Sequence, residues 1–120
     1  MYPHSFLGEF FRLFFRIRIN KQHDNIGFDG GNILKIFDFG LAKELQESER
    51  DEATGLYHMT PLTGALRYMA PEVGLRRPYN QKADVYSWSM LMWYIMALEP
   101  PLGTYTPNMF ISRVMEKGYR

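Results

Sequence analysis

The stretch Lys35-Ile36-Phe37-Asp38-Phe39-Gly40-Leu41-Ala42-Lys43 decides the reading of the chain, because the other informative segments keep a defined distance from Asp38. Ile33, Leu34, Ile36 and Phe37 form a short apolar run rich in β-branched residues, preceded by Gly30-Gly31-Asn32. That pattern predicts a strand that ends at Asp38. A carboxylate at such an end is placed to meet a hard cation. Phe39 is expected to bury while Asp38 points into a cleft, and Gly40 is free to take a positive φ that side-chain-bearing residues resist. A strand followed by an ordinary turn accounts for the same residues, and these three letters alone do not separate the two readings.

Upstream, Ile26-Gly27-Phe28-Asp29 predicts a second short strand. The turn at residues 30–32 joins the two into a hairpin that brings Asn25 and Asp38 towards one end. An amide oxygen and a carboxylate there are donors that suit magnesium, which keeps several waters and leans on substrate phosphates. An Asx turn at each position is the plainer reading.

Downstream, residues 44–53 carry Glu44, Glu47, Glu49, Arg50, Asp51 and Glu52, which predicts a mobile, solvated loop or short helix. Residues 57–65 offer hydroxyls at Tyr57, Thr60 and Thr63 in turn-prone surroundings, with Thr60 placed before Pro61. A short helix is expected to begin within residues 67–72. Val85, Trp88, Met92, Ile95 and Met96 recur near helical spacing over residues 84–98, with Asp84 able to cap the start. Apolar residues wrap most of that circumference, so burial on every side is expected, and Pro100-Pro101 ends the helix. A further helix is expected over residues 108–117, burying Phe110, Ile111, Val114 and Met115.

The 120 residues suit one domain, which at this size buries about two thirds of its unfolded surface. A composition 46% hydrophobic and 22% charged, with a formal net charge of +1, gives no reason to expect a nucleic-acid partner. Aromatics at 16% call for a large interior or a shared interface. The absence of cysteine removes disulfides and thiolate zinc sites and fits a reducing compartment, so a cytoplasmic location is expected. His4, His23 and His58 are scattered in polar or terminal stretches and suggest no metal site.

Residues 6–19 are apolar but interrupted by Arg12, Arg16 and Arg18, so no run approaches the ~18 residues a membrane span needs. A signal peptide would carry its basic residues before the apolar core. On a helix, Leu7, Phe10, Phe11, Phe14 and Phe15 share one face, and a core helix is expected there in preference to a membrane-surface or targeting segment.

Together these features resemble the second half of a eukaryotic protein kinase domain, over residues 20–120. Asp38-Phe39-Gly40 resembles the magnesium-binding DFG motif and Ala70-Pro71-Glu72 the APE motif. Asp84-Val85-Tyr86-Ser87-Trp88 resembles the start of the buried helix that anchors the large lobe. Thirteen positions separate Asn25 from Asp38 and twelve separate Glu72 from Asp84, the spacings the family keeps. The resemblance implies an α+β, mainly α fold: a partial large lobe with a small β-hairpin and buried helices, without the small lobe. Residues 1–19 would be an amphipathic segment of doubtful origin, and residues 20–120 the partial kinase domain.

By the same resemblance, Asp38 and Asn25 hold the magnesium ions that bridge the phosphates of ATP. Residues 44–63 form the activation segment, with Thr60 and Thr63 as candidate phosphorylation sites. Phe39 packs in the core beside Gly40, Glu72 pairs with an arginine, and Asp84 braces the catalytic loop. The run Leu66-Arg67-Tyr68-Met69-Ala70-Pro71-Glu72 is similar to serine/threonine kinases of the tyrosine-kinase-like branch. That similarity implies a protein substrate or regulatory partner in signalling.

The catalytic loop departs from the family. Arg18-Ile19-Asn20 stands where H-R-D is usual, so the position of the catalytic base holds Asn20, and Gln22 replaces the loop's lysine. An amide cannot take the substrate hydroxyl's proton, and a positioned base contributes about 10² to 10⁴ in rate. Ile19 removes the arginine that would receive a phosphate on Thr60 or Thr63. Ala65 replaces a hydroxyl residue, Ser89 a glycine, and no Gly-rich loop or strand lysine precedes Asn20. The 120 residues alone are therefore expected to transfer no phosphate. They read as an incomplete record of an active serine/threonine kinase, as a non-catalytic, pseudokinase-like binding module, or as a chain that does not fold in isolation.

Overall fold

Asp29 closes the hairpin by satisfying the backbone around it. Its carboxylate accepts hydrogen bonds from the N–H groups of Gly31 at 2.9 Å and Ile33 at 3.0 Å. Its own N–H donates to the Ile33 carbonyl, and Asn32 adopts a left-handed φ of 59°. The flanking strands β2 (Ile26–Phe28) and β3 (Leu34–Ile36) pair antiparallel, with Ile26 opposite Ile36 and Phe28 opposite Leu34. Gly27 matters here, because a Cβ at that position would lie 2.9 Å from the Phe37 ring. The computed structural model describes residues 17–18, 25–37 and 39–118. The amphipathic segment expected before Ile17 and the loop positions 19–24 lie outside them.

A second antiparallel pair joins β1 (Ile17–Arg18) to β4 (Lys43–Glu44), with Ile17 opposite Glu44. The segment after β4, expected to be a mobile loop or short helix, is exposed but locally ordered. It holds a 3₁₀ turn at Glu47–Glu49, and Arg50 and Lys43 pair with Glu47 and Glu49 at 2.8 and 3.0 Å. Arg50 then bridges to Tyr57, and Tyr57 to Tyr79, so the chain returns to the body of the molecule. The charged side chains find partners within the turn, which sequence composition does not reveal.

The helical part begins with a 3₁₀ turn at Leu66–Tyr68 and continues as α1 (Pro71–Gly74), which starts with Pro71 where its missing N–H costs nothing. It is followed by α2 (Lys82–Ala97) and by α3 (Pro107–Met109), capped by the Thr106 hydroxyl. α3 widens into a π-helix at Phe110–Glu116, close to the helix expected at residues 108–117. The architecture is mainly helical with a small antiparallel hairpin, as expected.

The core gathers Met69, Ala70, Val73, Tyr79, Ala83 and Met115, with Met59, Leu66, Leu75 and Tyr86 packed against it. α1 packs on the π-helical part of α3, and α2 packs on the Leu66–Tyr68 turn. Ser87 stitches the latter contact, donating to the Tyr68 carbonyl at 2.7 Å and also approaching Ala83. At the far end of α2, Leu98 turns left-handed with a φ of 56° and donates back to Tyr94.

Four expectations are corrected. α2 is buried on one side only: Ala83, Asp84 and Leu91 are buried, whereas Trp93 is 58% and Met96 79% exposed. Val85, Met92, Trp93 and Met96 all lie on the exposed side of the helix. Asp84 does not cap the helix, since Gln81 occupies the cap and Asp84 sits in the first turn. Phe39 is 53% exposed and does not pack in the core, because a two-stranded ribbon offers no second layer for its apolar side chains. Ile111 is also exposed, the π-helical winding having turned it away from Phe110, Val114 and Met115.

Candidate functional site

The hairpin delivers Asn25 to its open end, where the residue is buried, with 6% exposed. The Asn25 carbonyl accepts a 2.7 Å hydrogen bond from the N–H of Phe37, the residue that precedes Asp38. The backbone of residue 37 is thereby tied to Asn25, one position from Asp38. Asp38 itself lies outside the described residues, as does Asn20. An amide oxygen and a carboxylate are hard donors of the kind magnesium takes when phosphates and water complete its shell. Among the described residues no group of three or more histidine, cysteine or acidic residues forms a metal cluster.

Beyond Phe39 and Gly40, both exposed, a cavity of about 330 Å³ opens between the start of β4 and the later loop. Gly40, Lys43, Met59, Thr60, Thr63 and Tyr79 are among the residues lining it. Buried Tyr79 organises this wall: its backbone exchanges hydrogen bonds with Tyr57 at 2.9 and 3.1 Å, and its hydroxyl donates to the Thr60 carbonyl at 2.7 Å. Thr63 donates from its hydroxyl to the same carbonyl at 3.4 Å. Thr60 is exposed and Thr63 half-buried, so both sequence-predicted hydroxyl residues line one cavity, with Lys43 also in its wall.

Two carboxylates in this half of the molecule sit below their ordinary range. Asp29 is lowered first by the Ile33 N–H, then by that of Gly31, with Lys35 3.5 Å away adding to the effect. Asp51 is lowered by the N–H and the hydroxyl of Thr54, both bonded to it. Arg50 is raised by its bond to Glu47.

The remaining sequence-predicted positions lie in the helical part. Glu72 stands half-buried in the first turn of α1, and its backbone carbonyl accepts from Arg77; no arginine pairs with its carboxylate among the described residues. Asp84 is 2% exposed, held inside the first turn of α2.

Sequence reasoning missed Arg67. Its guanidinium donates to the carbonyls of Pro101 at 2.7 Å and Leu102 at 2.9 Å and lies 5.2 Å over the Phe110 ring. Leu102 carries a left-handed φ of 51°, so Arg67 holds a strained turn in place. It forms one wall of a groove of about 350 Å³, bounded also by Leu66, Tyr94, Pro100, Tyr105 and Phe110. The one signal available in the sequence was a cation among apolar and aromatic neighbours, Leu66 and Tyr68.

Residues 21–118 match the family model described as the protein kinase domain. The chain is similar to the serine/threonine-protein kinase STY17 of Arabidopsis thaliana, 36% identical over 96 residues, which is 80% of this chain and 15% of that protein. It is likewise similar to the serine/threonine-protein kinase VIK of Arabidopsis thaliana, 40% identical over 74 residues, covering 62% of this chain and 16% of the relative. A third relative is the mitogen-activated protein kinase kinase kinase 7 of Homo sapiens, 38% identical over 72 residues, 60% of this chain and 10% of the relative. The chain thus spans a sixth or less of the length of these relatives.

Proposed function

The chain belongs to the protein kinase domain family, and on that premise we propose that it is the metal-binding and activation-segment portion of a serine/threonine kinase large lobe. The observation that carries this reading is the buried Asn25, bonded through its carbonyl to the residue before Asp38. In this role Asn25 and Asp38 would hold magnesium, which when bound neutralises the charge of the ATP phosphates. Residues 44–63 act as the activation segment, with Thr60 and Thr63, which line the same cavity as Lys43, as its phosphorylation sites. Phe39 and Gly40 set the backbone on either side of the metal ligand and the segment. Asp84 braces the loop from inside α2, and Glu72 holds the end of the activation segment.

The 120-residue chain on its own does not transfer phosphate in this account, because Asn20 stands where a carboxylate must accept the substrate's proton. The same asparagine favours the second reading, a non-catalytic module that binds a protein partner through the same surfaces. Incubating the purified chain with radiolabelled ATP, magnesium and a generic protein substrate tests the point. No incorporation is expected, and magnesium-dependent labelling of serine or threonine would refute the inactivity. Among the described residues no helix is long and apolar enough to cross a membrane.

A further inference from the structure

Helix α1 ends in a strained turn that leaves two cations free. Leu75 is its C-cap, and beyond it the N–H of Arg76 donates to the Val73 carbonyl at 3.3 Å and that of Arg77 to the Glu72 carbonyl at 2.9 Å. These two bonds make the Schellman arrangement, whose residue after the cap turns left-handed and is usually glycine. Here that residue is Arg76, with a φ of 57°. A glycine would hold the same turn without the crowding that a Cβ brings.

The side chain of Arg76 does not offset that strain within the fold. Arg76 and Arg77 are both exposed, and neither guanidinium meets a carboxylate, a carbonyl or a ring among the described residues. Arg50, by contrast, is held by Glu47, Arg67 by two carbonyls, and Arg113 stands 5.7 Å over the Tyr105 ring. A strained residue whose side chain does nothing internally points to a role outside the fold. The turn is also fixed on both sides, which limits the entropy lost when a ligand arrives. Buried Val73 anchors α1, Pro78 restricts the backbone of Arg77, and buried Tyr79 bonds through its backbone to Tyr57 at 2.9 and 3.1 Å. Two charges are too few to hold a nucleic acid, whose binding draws on many phosphate contacts. No bond draws the two guanidiniums onto one point, so two separate carboxylates fit them better than a single phosphate group.

We propose that the Arg76–Arg77 turn is a docking point for an acidic segment of a partner protein, one carboxylate meeting each guanidinium. The assignment does not depend on the metal site or on phosphoryl transfer.

Fluorescent peptides that differ only in carrying Glu-Glu, Ser-Ser or a single phosphoserine at their centre, titrated with the 120-residue chain and followed by anisotropy, test this. Glu-Glu is expected to bind about tenfold tighter than Ser-Ser at low salt, the scale of two exposed ion pairs, and to lose that margin at high salt. Arg77→Gln is expected to remove most of the preference. Arg76→Gly is expected to weaken it as well while raising the thermal midpoint, since the strain is relieved. Arg113→Gln, which takes the same charge from another exposed arginine, is expected to leave the preference intact. Equal binding of Glu-Glu and Ser-Ser, tighter binding of the phosphoserine peptide than of Glu-Glu, or an equal loss in Arg113→Gln would overturn the assignment. A midpoint lowered in Arg76→Gly would overturn it too, by showing that this side chain serves the fold.

Discussion

The hydroxyl of Ser87 donates to the carbonyl of Tyr68 at 2.7 Å and so fixes helix α2 to the turn that precedes α1. Tyr68 is buried, and water does not readily replace a partner lost there. Ser87→Ala is therefore expected to cost about 1–2 kcal/mol. Urea unfolding followed by tryptophan fluorescence reads the change, and a midpoint equal to the parent's would show that the bond contributes nothing net.

Gly74 lies against Met115 so closely that an added Cβ would collide with the sulfur. Gly74→Ala is expected to destabilise by about 1–3 kcal/mol through overpacking, despite the better helix propensity of alanine. Met115→Ala in the same chain removes the clash, so the double variant is expected to lose less than the two single losses combined. A strictly additive double-mutant cycle would contradict the contact.

The Tyr79 hydroxyl holds the Thr60 carbonyl at 2.7 Å. Tyr79→Phe keeps the ring in the core and removes that bond, at a cost of about 1 kcal/mol. The expected signature is local: amide hydrogen exchange should accelerate around residues 60–63 and remain unchanged in α2. Uniform acceleration along the chain would mean that Tyr79 acts through the core and not on this segment.

Asp29 and Asp51 are lowered in the folded state by backbone donors, and Asp51 also by the Thr54 hydroxyl. A carboxyl with a depressed folded value binds fewer protons folded than unfolded as pH falls. Its contribution is therefore present above the ordinary carboxylate value and is lost as pH drops through the folded one. Thermal midpoints are expected to decline below about pH 4. Asp51→Ala should flatten part of that decline, and an identical pH profile in the variant would contradict the assignment to Asp51.

The hairpin and the late helices were legible because their signals are local. A glycine-rich turn between two apolar runs gives β2 and β3, and helical spacing of apolar residues gives α2. The spacing from Asn25 to Asp38 exposed the family even though neither residue is informative alone. The degree of burial was not legible: composition reports that α2 is apolar all round but not which neighbours cover it, so Trp93 and Met96 were misjudged. The clamp of Arg67 on Pro101 and Leu102 joins positions more than thirty residues apart. No local pattern in the chain encodes such a contact. The segment 44–53 is likewise tied down by the pairing of Arg50 with Tyr57, which charge content hides.

The account rests most directly on Asn25 and Asp38 acting as a pair of metal ligands. Titrating manganese, as a paramagnetic stand-in for magnesium, into isotope-labelled 120-residue chain and recording amide spectra tests this pair. Broadening is expected first at the Asn25 side-chain amide and the backbone amides of Phe37 and Phe39, and Asp38→Asn should abolish it. Broadening centred elsewhere, or unchanged in Asp38→Asn, would contradict the claim.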